Sequence, residues 1–324
     1  MKHPRFTHWF IATALVCAAT ASSAQDWPKG PVQVVVPYAA GSTPDLLARM
    51  LSERLRVRLG KPVVVMNKAG AAGNMGTEAV AKAAPDGQTI GVSIAGPLGV
   101  NSLLFKKLPY DPARDLEPVT IAASQPSVLI ISSKLAASSA GELFAQLKQN
   151  SGKYTFSSMG AGTISHLGME ALSSRTNANL VHVPYGGSSA AALAVMSGEV
   201  DMALLPAAAV MPHIQSGKIK ALAVALPNRS PSLPGLPTFA EAGVQDVEAD
   251  AWIGFIVPAK TPQAIVERLH GELVQILAEP AIKEKLRLQY MDPVANTPAE
   301  FRSMLAADVA RWKPVIQQHN INLD

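Results

Sequence analysis

The chain reads as an α/β protein built from two successive strand–helix blocks. Continuous apolar runs of strand length alternate with segments of helical spacing, and each block carries a small-residue loop between a strand and a helix start. The two loops are residues 37–45 (P-Y-A-A-G-S-T-P-D) and 157–166 (S-S-M-G-A-G-T-I-S-H); neither contains Lys or Arg. A strand feeding such a loop into a helix leaves backbone N–H groups with a partial positive charge, a place for a carboxylate or phosphate. One such loop in each block suggests a two-sided clamp on a small anion.

In the first block, Val32 to Val36 is an apolar run interrupted only by Gln33, as expected of a strand covered on both faces. Thr43, Pro44 and Asp45 read as N-cap, N1 and N2 of a helix through Leu46, Leu47, Met50, Leu51 and Leu55. A strand at Val63 to Met66, a glycine-rich turn, a helix around Thr77 to Ala84 and a strand near Thr89 to Ile94 follow. Repeated units of this kind predict a mostly parallel sheet.

The second block opens at Ser127 to Ser132. It continues with a helix near Ala140 to Gln149, the strand Tyr154 to Ser157, the second loop and a helix from Ser165. Leu180 to Val183 reads as a strand, P-Y-G-G-S-S leads into another helix, and strands are expected at Val200 to Leu205 and Ile219 to Ala225. After a Pro-rich connection, Pro227 to Pro237, the strand Trp252 to Val257 returns toward the first block. Thr261-Pro262 and Thr297-Pro298 open two closing helices, the second with Glu300 placed for a capping box. Their apolar positions (Ile265, Leu269, Leu273, Leu277; Phe301, Leu305, Trp312, Ile316) recur at helical spacing.

Residues 1–24 stand apart. Lys2 and Arg5, the apolar stretch Trp9 to Ala21 and the small residues Ser22-Ser23-Ala24 form a secretory signal pattern, with cleavage expected near Ala24. The sole cysteine, Cys17, lies inside it, so the 300 residues that follow can form no disulfide and no thiolate metal site. They carry 26 cations against 24 acids, a net charge of +2 without a basic cluster, which argues against nucleic acid as a partner. Beyond the leader no apolar run reaches the roughly 20 residues of a membrane span.

Catalytic signatures are weak. Gly70, Gly73 and Gly76 follow G-x-x-G-x-x-G, a turn and not a dinucleotide fingerprint. No G-x-S-x-G elbow is present, and Ser158 with His166 lacks an orienting acid. His166 and Glu170, at i and i+4, read as a structural hydrogen bond; no third metal ligand is near in sequence. Asp45 reads as a complement to the helix dipole, and it would repel an anionic ligand unless that ligand also bore an ammonium group. No catalytic residue, metal or cofactor is expected.

From Trp27 onward the chain resembles the Bug-type extracytoplasmic solute receptors of tripartite tricarboxylate transporters. The resembling segments include V-V-V-P-Y-A-A-G-S-T-P-D-L-L-A-R, N-K-A-G-A-A-G-N-M-G, A-A-P-D-G-Q-T, S-S-M-G-A-G-T-I-S-H-L-G-M-E, H-V-P-Y-G-G, G-E-V-D, R-S-P-S-L-P-G-L-P-T-F-A-E-A-G and W-I-G-F-I-V-P-A-K-T-P. The resemblance implies a two-domain periplasmic-binding-protein fold of type II with the ligand in the interdomain cleft. Residues 25–124 and 250–324 would form one discontinuous domain and 125–249 the other. It implies a periplasmic, monomeric receptor that captures a small carboxylate, organic acid or amino acid, and presents it to a membrane permease. The alternatives are a sensor feeding a signalling partner and an exported esterase. Carried over, the ligand contacts fall among Tyr38, Gly41, Ser42, Thr43, Asp45, Ser157, Ser158, Gly160, Ala161, Gly162, Thr163 and His166, with Tyr185, Gly186 and Asp201 as a second tier. The chain departs from the family pattern at Ser42, where a second glycine is usual, at Pro44, which removes a donor, and at Lys260.

Overall fold

The computed structural model describes residues 27–323; the expected leader, the expected cleavage site and Cys17 lie outside the described residues. In the first part, β1 (Val32–Val36), α1 (Thr43–Leu59), β2 (Val63–Asn67), α2 (Asn74–Ala81) and β3 (Thr89–Ser93) alternate as the sequence predicts. A π turn at Gly96–Val100 runs into the short α3 (Asn101–Leu104) and α4 (Pro112–Asp115), then into β4 (Leu116–Gln125). The second part contains β5 (Ser127–Ser132), α5 (Ala140–Gln149), β6 (Thr155–Ser158), α6 (Ile164–Thr176), β7 (Val181–Pro184), α7 (Ser188–Ser197), β8 (Met202–Pro206), α8 (Ala207–Gln215) and β9 (Ile219–Val224). The chain closes with β10 (Ala251–Pro258), α9 (Gln263–Ala278), α10 (Pro280–Leu288), β11 (Asp292–Pro293) and α11 (Pro298–Gln318).

Two sheets result, in the orders β11-β4-β10-β3-β1-β2 and β7-β6-β8-β5-β9. Apart from the short β11, they share one plan: two parallel strands, a third parallel strand, an antiparallel insert, then a fourth strand. The insert is the strand that has just crossed from the other sheet, β10 in the first and β5 in the second. Both sheets are therefore mixed, which corrects the mostly parallel expectation. A strand entering from outside its own βα series is not bound by the crossover that keeps the others parallel. This shared plan is the type II two-domain arrangement.

Two helix starts fall one residue away from their sequence reading. α1 is capped by Ser42, so Thr43 is the first helical residue and Asp45 sits at N3. Pro262 caps α9, and the Thr261 hydroxyl donates to Pro258 O instead. At α11 the Thr297–Glu300 capping box forms in full.

Side-chain alternation divides the core. Val32, Val34 and Val36 face a layer with Leu47, Leu51 and Leu55 of α1 and Leu269, Leu273 and Ile276 of α9. Val35 faces the other way, into a cluster with Leu98, Phe301 and Trp312 that continues through Leu129, Phe156, Leu167 and Leu204 of the second part. The inner sides of the two halves thus share one continuous apolar core. A third layer, around Val128, Ile130, Val195 and Leu205, covers the outer face of the second sheet.

Candidate functional site

In the shared plan β6 occupies the place of β1, so the loops that follow these strands are topological equivalents. Each ends in a helix N-terminus, capped by Ser42 in one case and Thr163 in the other.

The first loop is held from inside by Asp45. Its carboxylate accepts from Gly41 N (2.8 Å), Arg49 Nε (3.0 Å) and Asn67 Nδ2 (2.8 Å). Asn67 also donates to Tyr38 O at 3.0 Å. Burial alone would raise the Asp45 pKa, but the bonds from Arg49, Gly41 and Asn67 and the Arg49 charge outweigh it and hold the carboxyl below its ordinary value. Asp45 is buried and turned into its own loop, and it consumes the Gly41 N–H. The amino-acid reading of this carboxylate has no support in the geometry. Tyr38 lays its hydroxyl against Gly73, where a Cβ would stand 2.6 Å from it; burial pushes that hydroxyl's pKa well up. Ser42 differs from its neighbours. Its hydroxyl is buried, makes no capping bond and has no partner.

Asp45→Ala is expected to cost about 2 kcal/mol, because two neutral donors lose a charged acceptor at once. Urea denaturation monitored by circular dichroism measures it, and a loss below about 0.5 kcal/mol would show that the loop needs no anchor.

The second loop is likewise self-bonded. Ser157 Oγ donates to Ala191 O (3.0 Å), and Gly160 N donates to Ser158 Oγ (3.1 Å). Thr163 Oγ1 donates to Gly160 O (2.7 Å), and Gly162 N donates to His166 Nδ1 (3.0 Å). Ser158 Oγ also lies 2.7 Å from His182 Nε2. That ring is stacked on His166, with centroids 3.8 Å apart, and on Phe156. Burial, with His166 adding, pushes the His182 pKa down to about 4 against the pull of Glu170. The partner of Ser158 is thus His182 and not His166, and the i,i+4 pair His166–Glu170 is in contact at 3.3 Å.

The second-tier residues separate. Tyr185 donates its hydroxyl to Glu199 (2.9 Å) and its amide to Ser158 O (3.1 Å), which ties it to the loop by its backbone. Gly186 is exposed, with open space where a side chain would be. Asp201, expected as a second-tier contact, clasps a strand in this structure. It accepts from Thr155 N and Oγ1 at 2.8 and 3.0 Å, at the end of β6 opposite the loop. Asn67 and His182 escaped the sequence reading, since nothing local marks residues that reach a loop from elsewhere in the chain. Among the described residues no group of three or more His, Cys, Asp or Glu could hold a metal ion, and no helix is long and apolar enough to cross a membrane.

Residues 47–321 match the family described as "Tripartite tricarboxylate transporter family receptor". The chain is 36% identical over 315 residues to the protein BugT of Bordetella pertussis (strain Tohama I), covering 97% of this chain and 96% of that one. Among solved structures, Rpa4515 of R. palustris with adipate is 32% identical with a TM-score of 0.81, covering 90% of this chain and 98% of that one. MatC (Rpa3494) from Rhodopseudomonas palustris with bound malate is 28% identical with a TM-score of 0.77, covering 90% and 100%. With a family match over most of its length and relatives alike from end to end, the chain belongs to the tripartite tricarboxylate transporter receptors, a family of solute-binding proteins.

Proposed function

We propose that the protein is a periplasmic receptor for a small organic carboxylate, held between the 37–45 and 157–166 loops and presented to a membrane permease. The observation that carries this reading is the equivalence of the two loops: each follows the same strand of its sheet and ends at a helix start. Residues 25–124 with 250–324 form one domain and 125–249 the other, with the hinge at Ala122 to Pro126 and Ala249 to Trp252. The passage between sheets from Gln125 to Ser127, and the return into β10 at Ala251, support that division. Export through the leader and a monomeric state complete the proposal.

The internal bonding narrows the contact set. Gly41, Gly160 and Gly162 spend their amides within their own loops. The ligand carboxyl therefore falls to the backbone of the exposed residues Ala39, Ala40 and Ala161 and, once the loop moves to admit it, to the buried but unpartnered Ser42 hydroxyl. That adipate and malate occupy relatives supports a dicarboxylate. An esterase reading gains nothing from the Ser158–His182 pair. Ser158 is fully buried, and a base with a pKa about 4 is a poor proton acceptor at neutral pH.

A thermal-shift screen of mono-, di- and tricarboxylates, amino acids and neutral solutes tests the proposal. A true ligand at 100 times its Kd is expected to add about 2.7 kcal/mol of stability, and Ser42→Ala to weaken its binding by about 5- to 20-fold. Stabilisation by a neutral solute but by no carboxylate would overturn the carboxylate reading.

A further inference from the structure

The end of the chain reaches the second loop by two separate routes. Gly162 sits at φ +75°, and a Cβ there would stand 2.7 Å from Leu104 Cδ1 and 2.8 Å from Leu323 Cδ1. Leu323 is pinned in turn, its amide donating to Leu104 O at 3.0 Å. The second route runs through side chains. The His166 nitrogen that accepts from Gly162 N, Nδ1, carries no hydrogen, so the ring proton belongs on Nε2. Nε2 faces Glu170 Oε1 at 3.3 Å, and the other Glu170 oxygen meets His319 Nδ1 at 2.8 Å. His319 Nε2 is held at 2.7 Å by Ser174 Oγ. His166 and Glu170 are both buried, so a half-satisfied chain would be costly. His319 is the C-cap of α11, a helix that packs on β4 of the first sheet, whereas Glu170 and His166 lie on α6 of the second part.

We infer that the C-terminal segment is a positioning element for the anion loop of the opposite half: His319, through Glu170 and His166, fixes the Gly162 amide and so the direction of the Ala161 backbone. The inference rests on the receptor reading for its purpose but not for its geometry. Ligand affinity thereby depends on a residue that never touches the ligand. The relay spans the two halves, so it also ties the order of the loop to how they are seated against each other.

The test uses the full chain without ligand. His319→Ala is expected to speed amide hydrogen exchange at residues 160–163 by about tenfold or more while leaving β2 unchanged, and to shift part of the His166 ring from the Nε2–H to the Nδ1–H tautomer in its side-chain ¹⁵N spectrum. His319→Gln, which keeps an N–H donor toward Glu170, is expected to restore both. Ser174→Ala, which loosens His319 without removing it, is expected to give a smaller change in the same direction. Unchanged exchange and an unchanged tautomer in His319→Ala overturn the inference, as does failure of His319→Gln to restore them. A separate thermal-shift measurement with adipate and malate keeps the two readings apart. If neither acid binds but the relay responds, only the choice of ligand fails; if they bind and the relay is silent, only the relay fails.

Discussion

Trp252→Ala is expected to destabilise the protein by about 4–5 kcal/mol, the upper end for a large-to-small core change. Trp252 lies on β10, the strand that crosses back into the first sheet between β3 and β4, and it is among the largest fully buried side chains. Its ring meets Phe301 edge-on, with centroids 5.3 Å apart and planes at 85°. Its indole N–H donates to Asp308 Oδ2 at 2.8 Å. Truncation opens a cavity in the core shared by the two halves and strips a buried carboxylate of its donor, leaving Arg311 at 3.6 Å as its remaining ion-pair partner. Gly254, two residues along, cannot grow to compensate, since a Cβ there would stand 2.3 Å from the Phe301 ring. Trp252→Phe separates the two costs by keeping most of the packing and losing only the N–H, for an expected loss of about 2 kcal/mol. Urea melts followed by circular dichroism measure both. Equal losses for Phe and Ala would mean that the hydrogen bond, and not the cavity, carries the effect.

Much of this architecture was legible in the sequence because local signals and tertiary demands coincide. Val32 to Val36 is apolar at every position but Gln33, and the structure buries its four valines, Val32, Val34 and Val36 on one face and Val35 on the other. Thr297 and Glu300 satisfy each other within one turn, so no distant residue could spoil the cap. Thr43 and Thr261 carry the same Thr-Pro signal, yet neither caps: the first helix already includes Thr43 and has Ser42 in the cap position, and the Thr261 hydroxyl is taken by the Pro258 carbonyl. Strand direction was illegible for a different reason. β5 and β10 look like any other apolar run, and only their arrival from the opposite sheet turns them antiparallel. The candidate loops were found as segments, but which of their donors remain free was not. Gly41 and Gly162 lose their amides to Asp45 and His166, each of which also serves as ordinary helix sequence.

Between about pH 4 and 6, two proton linkages of opposite sign are expected to cross, and two substitutions should pull them apart. Burial, with the Asp308 charge adding, pushes the Asp250 carboxyl up to about 6, while Arg311 opposes this and Glu248 reinforces it. The folded protein thus binds a proton that the unfolded chain, with an aspartate near 3.8, has released. That contribution is full at low pH and is lost as pH rises through about 6. His182 runs the other way. Its pKa falls from 6.5 unfolded to about 4 folded, so its contribution is full above about 6.5 and is lost as pH falls toward 4. The shifts correspond to at most about 3 kcal/mol for Asp250 and about 3.4 kcal/mol for His182 at 1.36 kcal/mol per unit, reduced by solvent screening because both residues are partly exposed. Asp250→Asn removes the first term, and its stability relative to wild type should fall as pH is lowered from 6.5 to 4.5. His182→Gln keeps a donor toward Ser158 but removes the second, and its relative stability should rise over the same interval. Comparing each variant with wild type at the same pH cancels the acid sensitivity of other carboxylates, such as Asp45. Urea melts at pH 4.5, 5.5 and 6.5 decide it: if both variants track wild type with parallel slopes, neither group is the buried titrating site that its surroundings make it.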